Sequence, residues 1–204
     1  MNKQQEFIKL LLKVENHFKK NNKRLAGEGW KHPWQTLIAT IMSAQTKDET
    51  TIPVAENLFK KYKTLTDLAN AKHEDVKEII KSVNYNNTKT KHVIDAARHL
   101  ILYHDAKTPS NMQDLLKIPG VGRKTANLVL AECFTKDAIC VDTHVHKISN
   151  MFEFVNTKTP NETEIALMQL VPKKYWSRIN RAFVLWGKES SRYDKDVLIS
   201  HLNK

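Results

Sequence analysis

Cysteine is scarce in this chain: two, Cys133 and Cys140, in 204 residues. They are not a Cys-x-x-Cys pair, and no third or fourth cysteine is there to complete a metal or iron–sulfur site. A chain of this length buries enough apolar surface to fold without a disulfide framework, so a reducing compartment is expected. Glycine and proline are also few, five and six. Sparse turn formers favour helices and argue against long disordered stretches. No apolar run approaches the length of a membrane span. The run from Phe7 to Leu12 is broken by Lys9, and no small-residue cleavage site follows, so a secretory leader is not expected. Strand alternation, internal repeats and a long linker are missing too. The expected fold class is all-α, with roughly ten helices and any second domain packed closely on the first.

What the chain has in excess is positive charge. Thirty-three Lys plus Arg against twenty-two Asp plus Glu give +11 and a pI near 9.6. Such a balance suits a polyanionic partner, although a merely solvated basic surface gives the same count. Residues 172–181 carry Lys173, Lys174, Arg178 and Arg181 with no acid. The first 24 residues carry seven basic side chains against Glu6 and Glu15. Both stretches interleave charge with apolar residues, as basic faces of folded helices do.

Apolar spacing places the helices. Phe7, Leu11, Val14 and Phe18 mark one over Gln4–Lys20, and residues 21–33 read as a loop. Trp34–Ala44 is apolar nearly all round, as a buried helix is. Helices follow over Lys47–Tyr62, with Pro53 expected near its start, then over Thr66–Ala69 and His73–Lys81. Asn84–Asn87 reads as a turn and Thr88–Tyr103 as a long helix. Ser110 with Gln113, and Thr159 with Glu162, have the spacing of capping boxes. Further helices are expected over Lys124–Cys133, after Asp142, and over Lys174–Trp186, with a short closing segment.

The residues with chemistry cluster around Leu115–Ala126. Two helices are joined there by Pro119-Gly120-Val121-Gly122. Glycine allows positive φ and close approach, and the first-turn amides of the second helix have no partner in their own helix. A helix start of this kind holds phosphate; a plain glycine-capped connection is the simpler reading. Lys124 follows two residues after Gly122. Such a lysine is ordinarily just solvated, but the positive end of the dipole and any burial disfavour its ammonium form, which is how an amine nucleophile is made. Asp142 lies eighteen residues further on and reads either as a helix N-cap or as a carboxylate serving the same pocket.

Leu-Lys-Ile-Pro-Gly-Val-Gly-Arg-Lys-Thr-Ala-Asn at 116–127, followed by Val-Asp-Thr-His-Val at 141–145, closely resembles the endonuclease III branch of the helix-hairpin-helix DNA glycosylases. Pro33 to Asp48, with Leu37-Ile38-Ala39 and Ser43-Ala44-Gln45, resembles that family's first barrel helix and the loop after it. Asn86-Asn87-Thr88-Lys89 resembles the segment before its long barrel helix. The likeness runs from about Phe7 to Gly187.

The resemblance implies two helical lobes with DNA in the cleft: a six-helix barrel over about 25–136, and a lobe from 1–24 and 137–204. A damaged base would be flipped out of the duplex. Lys124 would attack the sugar C1′ and leave a Schiff base, and β-elimination would cut the strand, with Asp142 assisting. Members that only excise the base have another residue in place of this lysine, so Lys124 implies both glycosylase and abasic-site lyase activity, on oxidised pyrimidines and abasic sites. A glycosylase for alkylated or mismatched bases and a non-catalytic DNA-binding relative are the alternatives. Gln45 would fill the gap left by the flipped base, and Tyr85 would act as a wedge. Pro119, Gly120, Val121, Gly122, Arg123 and Thr125, with Lys89 and His144, would complete the DNA contacts. Asp48 is expected to cap the following helix. The implied partner is damaged double-stranded DNA, bound by a monomer with no membrane association, in the cytoplasm or nucleoid. One departure is plain: relatives end in four cysteines holding a 4Fe–4S cluster, and no cysteine follows Gly187 here. No cluster and no other cofactor or metal is expected, and Lys173 to Arg181 are candidates to replace the DNA contacts of the lost cluster loop.

Overall fold

A computed structural model describes residues 2–21, 23–190 and 193–202. Among the described residues there are twelve α-helices, one 3-10 turn and no strand. The chain forms two compact units, residues 24–135 and the remainder.

The unit over 24–135 is built around α2 (Pro33–Ser43). Proline suits its first position, where no amide is needed. Leu37, Ile38, Ala39 and Met42 are fully buried, and α3, α6 and α8 pack against this helix. Helix α3 (Asp48–Lys61) begins acidic and ends basic, matching its dipole. Pro53 is its sixth residue, not an early one. It removes one intrahelical bond and lies on the exposed face. Asp48 does not cap α3; its carboxylate accepts from the Ala26 amide at 3.0 Å and ties down the preceding loop.

Short helices α4 (Leu65–Ala69) and α5 (His73–Ile79) lead to α6 (Asn86–His104). Helix α6 starts two residues before the expected Thr88, because Tyr85 takes a left-handed conformation and turns the chain sharply into it. Helix α7 (Met112–Leu115) is capped by Asn111, whose Oδ1 accepts from the Asp114 amide at 2.9 Å. The cap is therefore one residue later than Ser110. The amide side chain of Asn111 follows extended backbone and reaches the third amide on, the geometry a cap needs. Helix α8 (Arg123–Phe134) completes the unit.

The other unit combines α1 (Lys3–His17) with α9 (Thr143–Met151), α10 (Pro160–Leu170), the 3-10 turn Lys173–Tyr175, α11 (Trp176–Glu189) and α12 (Lys195–His201). Phe7, Leu11 and Val14 form the buried stripe of α1, which packs on α11. Phe7 sits edge-on to Phe154 at 5.0 Å and against Phe183 at 5.6 Å. Trp186 is fully buried, and its indole N–H donates to Leu198 O at 2.9 Å, fastening α12 to α11. Thr159 caps α10, and the Glu162 carboxylate accepts from the Lys158 amide at 2.8 Å.

Candidate functional site

The hairpin between α7 and α8 is anchored by buried Leu115 and Ile118. The Val121 amide donates to Ile118 O at 3.1 Å and closes the turn. Gly120 has φ +79°, and a Cβ there would stand 2.8 Å from the His92 Cβ of α6. Both facts demand glycine. Gly122 differs: its φ is −98°, and a Cβ would point into open space. Among the described residues nothing requires glycine there. Gly122 is the N-cap of α8, and its carbonyl accepts the first helical bond, from Ala126 at 2.9 Å. The amides of Arg123, Lys124 and Thr125 therefore have no acceptor in their own helix. Arg123 and Lys124 are exposed. Thr125 and Val121 are buried.

A second feature of this unit brings Gln45 and Tyr85 onto neighbouring loops. Both are exposed and both are left-handed, with φ 54° and 58°. Asn84 ties the loops together: its side-chain amide donates to Gln45 O at 2.5 Å, and its backbone amide to Thr46 Oγ1 at 3.2 Å. Lys89, expected on DNA, is not on the surface. It is 5% exposed and its ammonium donates to Met42 O, Ala44 O and Thr46 Oγ1. The physical reason is the C-terminus of α2, whose unpaired carbonyls and negative dipole end attract a cation.

In the other unit, Asp142 is the N-cap of α9; its Oδ1 accepts from the Val145 amide at 2.9 Å. A carboxylate capping through one oxygen keeps further lone pairs for other partners. His144, also expected on DNA, is half-buried and turned inward. Its Nδ1 shares a hydrogen bond of 2.7 Å with the Tyr193 hydroxyl, and its ring occupies the place a side chain on Gly187 would need. Burial, and secondarily the Asp142 charge, push the Tyr193 phenol up. Lys147 lies over the Tyr193 ring at 4.4 Å. The basic stretch after Pro172 is partly tied down: Arg178 forms a two-pronged ion pair with Glu15, and Lys173 lies 3.8 Å from Asp137.

Sequence reasoning missed Thr46, His92, Gly187 and Tyr193. Asn84 falls in a segment that reads only as a turn, and Tyr193 carries no local signal at all.

The two thiols do not fit a four-thiolate cluster. Cys133 is half-buried in α8, where burial pushes its thiol up, and Cys140 is buried in the other unit. Among the described residues no group of three or more His, Cys, Asp or Glu is placed to hold a metal. No described helix is long and apolar enough to cross a membrane.

A glycine hairpin that opens a helix on an exposed lysine, in an all-helical chain with a capped Val-Asp-Thr-His turn, defines a class of DNA-repair proteins. The chain belongs to the HhH-GPD superfamily of base excision DNA repair proteins, whose family model matches residues 38–173, and within it to the endonuclease III branch. Endonuclease III of Thermotoga maritima is 43% identical over 156 residues, 76% of this chain and 73% of that protein. A solved non-covalent endonuclease III–DNA complex matches with a TM-score of 0.85 at 30% identity, over 94% of this chain and 89% of that one. A trapped endonuclease III–DNA covalent intermediate matches with a TM-score of 0.84 at 30% identity and the same coverage.

Proposed function

We propose that this chain is a bifunctional base-excision DNA glycosylase and abasic-site lyase that acts, as a monomer without an iron–sulfur cluster, on oxidised pyrimidines and abasic sites in duplex DNA. The observation that carries the reading is the exposed residue Lys124 in the first turn of α8, two residues after Gly122. The amides of that turn, without acceptors in their own helix, suit a phosphate, which fixes a nucleotide beside the amine. Gly122, with no internal need for glycine, leaves room for that phosphate.

In this reading Lys124 Nζ attacks C1′ of the flipped nucleotide. The N–C1′ bond forms, the glycosidic bond breaks, and the base leaves with the electron pair and gains a proton. Ring opening gives an imine. Loss of a C2′ proton then expels the 3′ phosphate by β-elimination, and water releases the enzyme. At an abasic site the amine condenses with the aldehyde directly and water leaves. Asp142 is assigned, on its motif, to stabilise the cationic sugar or move protons. Gln45 and Tyr85 are assigned to the duplex at the site of the flipped base. An exposed aromatic stacks there without reading sequence.

The test is borohydride trapping on duplexes containing thymine glycol, uracil, oxidised guanine or an abasic site. Reduction of the imine fixes a covalent adduct. The wild-type protein is expected to give one with abasic and thymine glycol duplexes, and Lys124→Ala none. Absence of adduct on every duplex refutes the lyase assignment; adduct on uracil or oxidised guanine alone refutes the substrate class. The purified protein is expected to be colourless, and a visible iron–sulfur absorption would overturn the cluster-free reading.

A further inference from the structure

The loop that carries Gln45 rests on an unusual foundation. Lysines are almost never fully buried unless paired, yet Lys89, in the first turn of α6, is 5% exposed. Its ammonium has three protons to donate, and three oxygens receive them: Met42 O at 2.7 Å, Ala44 O at 2.5 Å and Thr46 Oγ1 at 3.1 Å. Met42 is in the last turn of α2 and Ala44 is its C-cap, so the ammonium closes a helix C-terminus. Between these anchor points stands Gln45, left-handed and exposed. From the far side Asn84 holds both Gln45 O and Thr46 Oγ1, and the next residue is Tyr85, left-handed and 67% exposed.

A non-glycine residue in left-handed backbone is disfavoured and persists only where its surroundings over-determine it. Two of them side by side, both displaying large side chains outward, need a common cause. Thr46 Oγ1 provides it, because Lys89 and the Asn84 amide both bond to it. Lys89 therefore reaches Gln45 through Ala44 and Thr46, and Tyr85 through Thr46 and Asn84. Burial drives the Lys89 amine down to about 8, while the helix terminus and the three oxygens act in the other direction; at neutral pH it remains an ammonium.

We propose that Lys89 is a positioning residue for opening the duplex: by bridging Met42, Ala44 and Thr46 it holds Gln45 and Tyr85 in the conformations from which they enter DNA. This rests on the assignment of those two side chains to the flipped-base site. Lys89 itself touches no DNA.

The test separates duplex opening from imine chemistry. Single-turnover excision of thymine glycol from a duplex, with 2-aminopurine fluorescence reporting base extrusion, is compared with borohydride trapping on single-stranded abasic DNA. The single strand has no pair to open. Lys89→Met is expected to slow excision and the fluorescence change tenfold or more and to leave single-strand trapping within about threefold. Thr46→Ala, which removes the hydroxyl shared by Lys89 and the Asn84 amide and spares the buried amine, is expected to act in the same direction should Lys89→Met fail to fold. Adding Lys89→Met to a Gln45→Ala, Tyr85→Ala variant is expected to cost less than about threefold more, since the lysine acts through those two residues. A merely structural lysine predicts full additivity and an equal loss on single strands, and either result overturns the proposal. Wild-type excision by Lys89→Met also overturns it and leaves the DNA assignment of Gln45 and Tyr85 standing. Unchanged excision in the Gln45→Ala, Tyr85→Ala variant removes that assignment and the proposal with it.

Discussion

Two glycines one residue apart do different work. Gly120 combines φ +79° with contact against His92, so Gly120→Ala strains the backbone and forces α6 aside. A loss of about 1–3 kcal/mol in stability is expected by urea denaturation. Gly122 has an ordinary φ and open space around it. Gly122→Ala is expected to keep stability within about 0.5 kcal/mol and still to weaken duplex binding. A stability loss equal to that of Gly120→Ala would show that Gly122 serves the fold. Lys89 gives a prediction in pH. Its amine is lowered from 10.5 to about 8 in the folded protein. Between those values the unfolded chain holds a proton that the folded chain has released, so raising pH favours folding. Its contribution is least favourable below about pH 8, improves through the window, and is constant above 10.5. Denaturation midpoints of wild type minus Lys89→Met are expected to rise between pH 8 and 10.5. A flat difference would mean that the three oxygens outweigh burial.

Helix α9 joins a structural duty to a proposed catalytic one in a single side chain. Asp142 caps the helix through Oδ1 and is the candidate catalytic carboxylate. Asparagine caps as well as aspartate but carries no charge. Asp142→Asn is therefore expected to melt like wild type and to lose about 100-fold or more in single-turnover excision. Asp142→Ala is expected to lose the same activity and a further ~1 kcal/mol of stability. Equal activity in Asp142→Asn and wild type would reduce Asp142 to its cap. These elements also show what the sequence could and could not convey. The hairpin was legible because proline and glycine act locally, and the Asp142 cap because the amide it accepts from is three residues on. The start of α6 was missed because Tyr85, not a turn former, takes the left-handed position there. Lys89 was misplaced because periodicity cannot say which first-turn lysine faces a neighbouring helix end. The Tyr193–His144 bond spans 49 residues and leaves no local mark.

At the scale of the whole molecule the governing quantity is the +11 charge. Charge that grips DNA releases counterions, with a slope of log K against log salt of about −0.9 per phosphate neutralised. If about five phosphates are engaged, the slope is about −4.5, and a fourfold rise in salt lowers the association constant by about 500-fold. Not every cation contributes. Arg178 is held by both oxygens of Glu15, so its charge is balanced within its own unit. Contact with Glu15 also holds its guanidinium in the charged form. Arg123 is exposed in the first turn of α8, whose amides have no acceptor in their own helix. Binding of undamaged duplex, measured by fluorescence anisotropy from 50 to 200 mM salt, separates the two roles. Arg123→Gln is expected to weaken binding and to make the slope shallower by about one. Arg178→Gln is expected to leave the slope unchanged within error, because the ion pair with Glu15 is internal. A shallower slope for Arg178→Gln would mean that DNA draws the guanidinium away from Glu15, and would return the stretch after Pro172 to the DNA-binding surface. A flat salt response in the wild-type protein would leave the hairpin without a phosphate to hold.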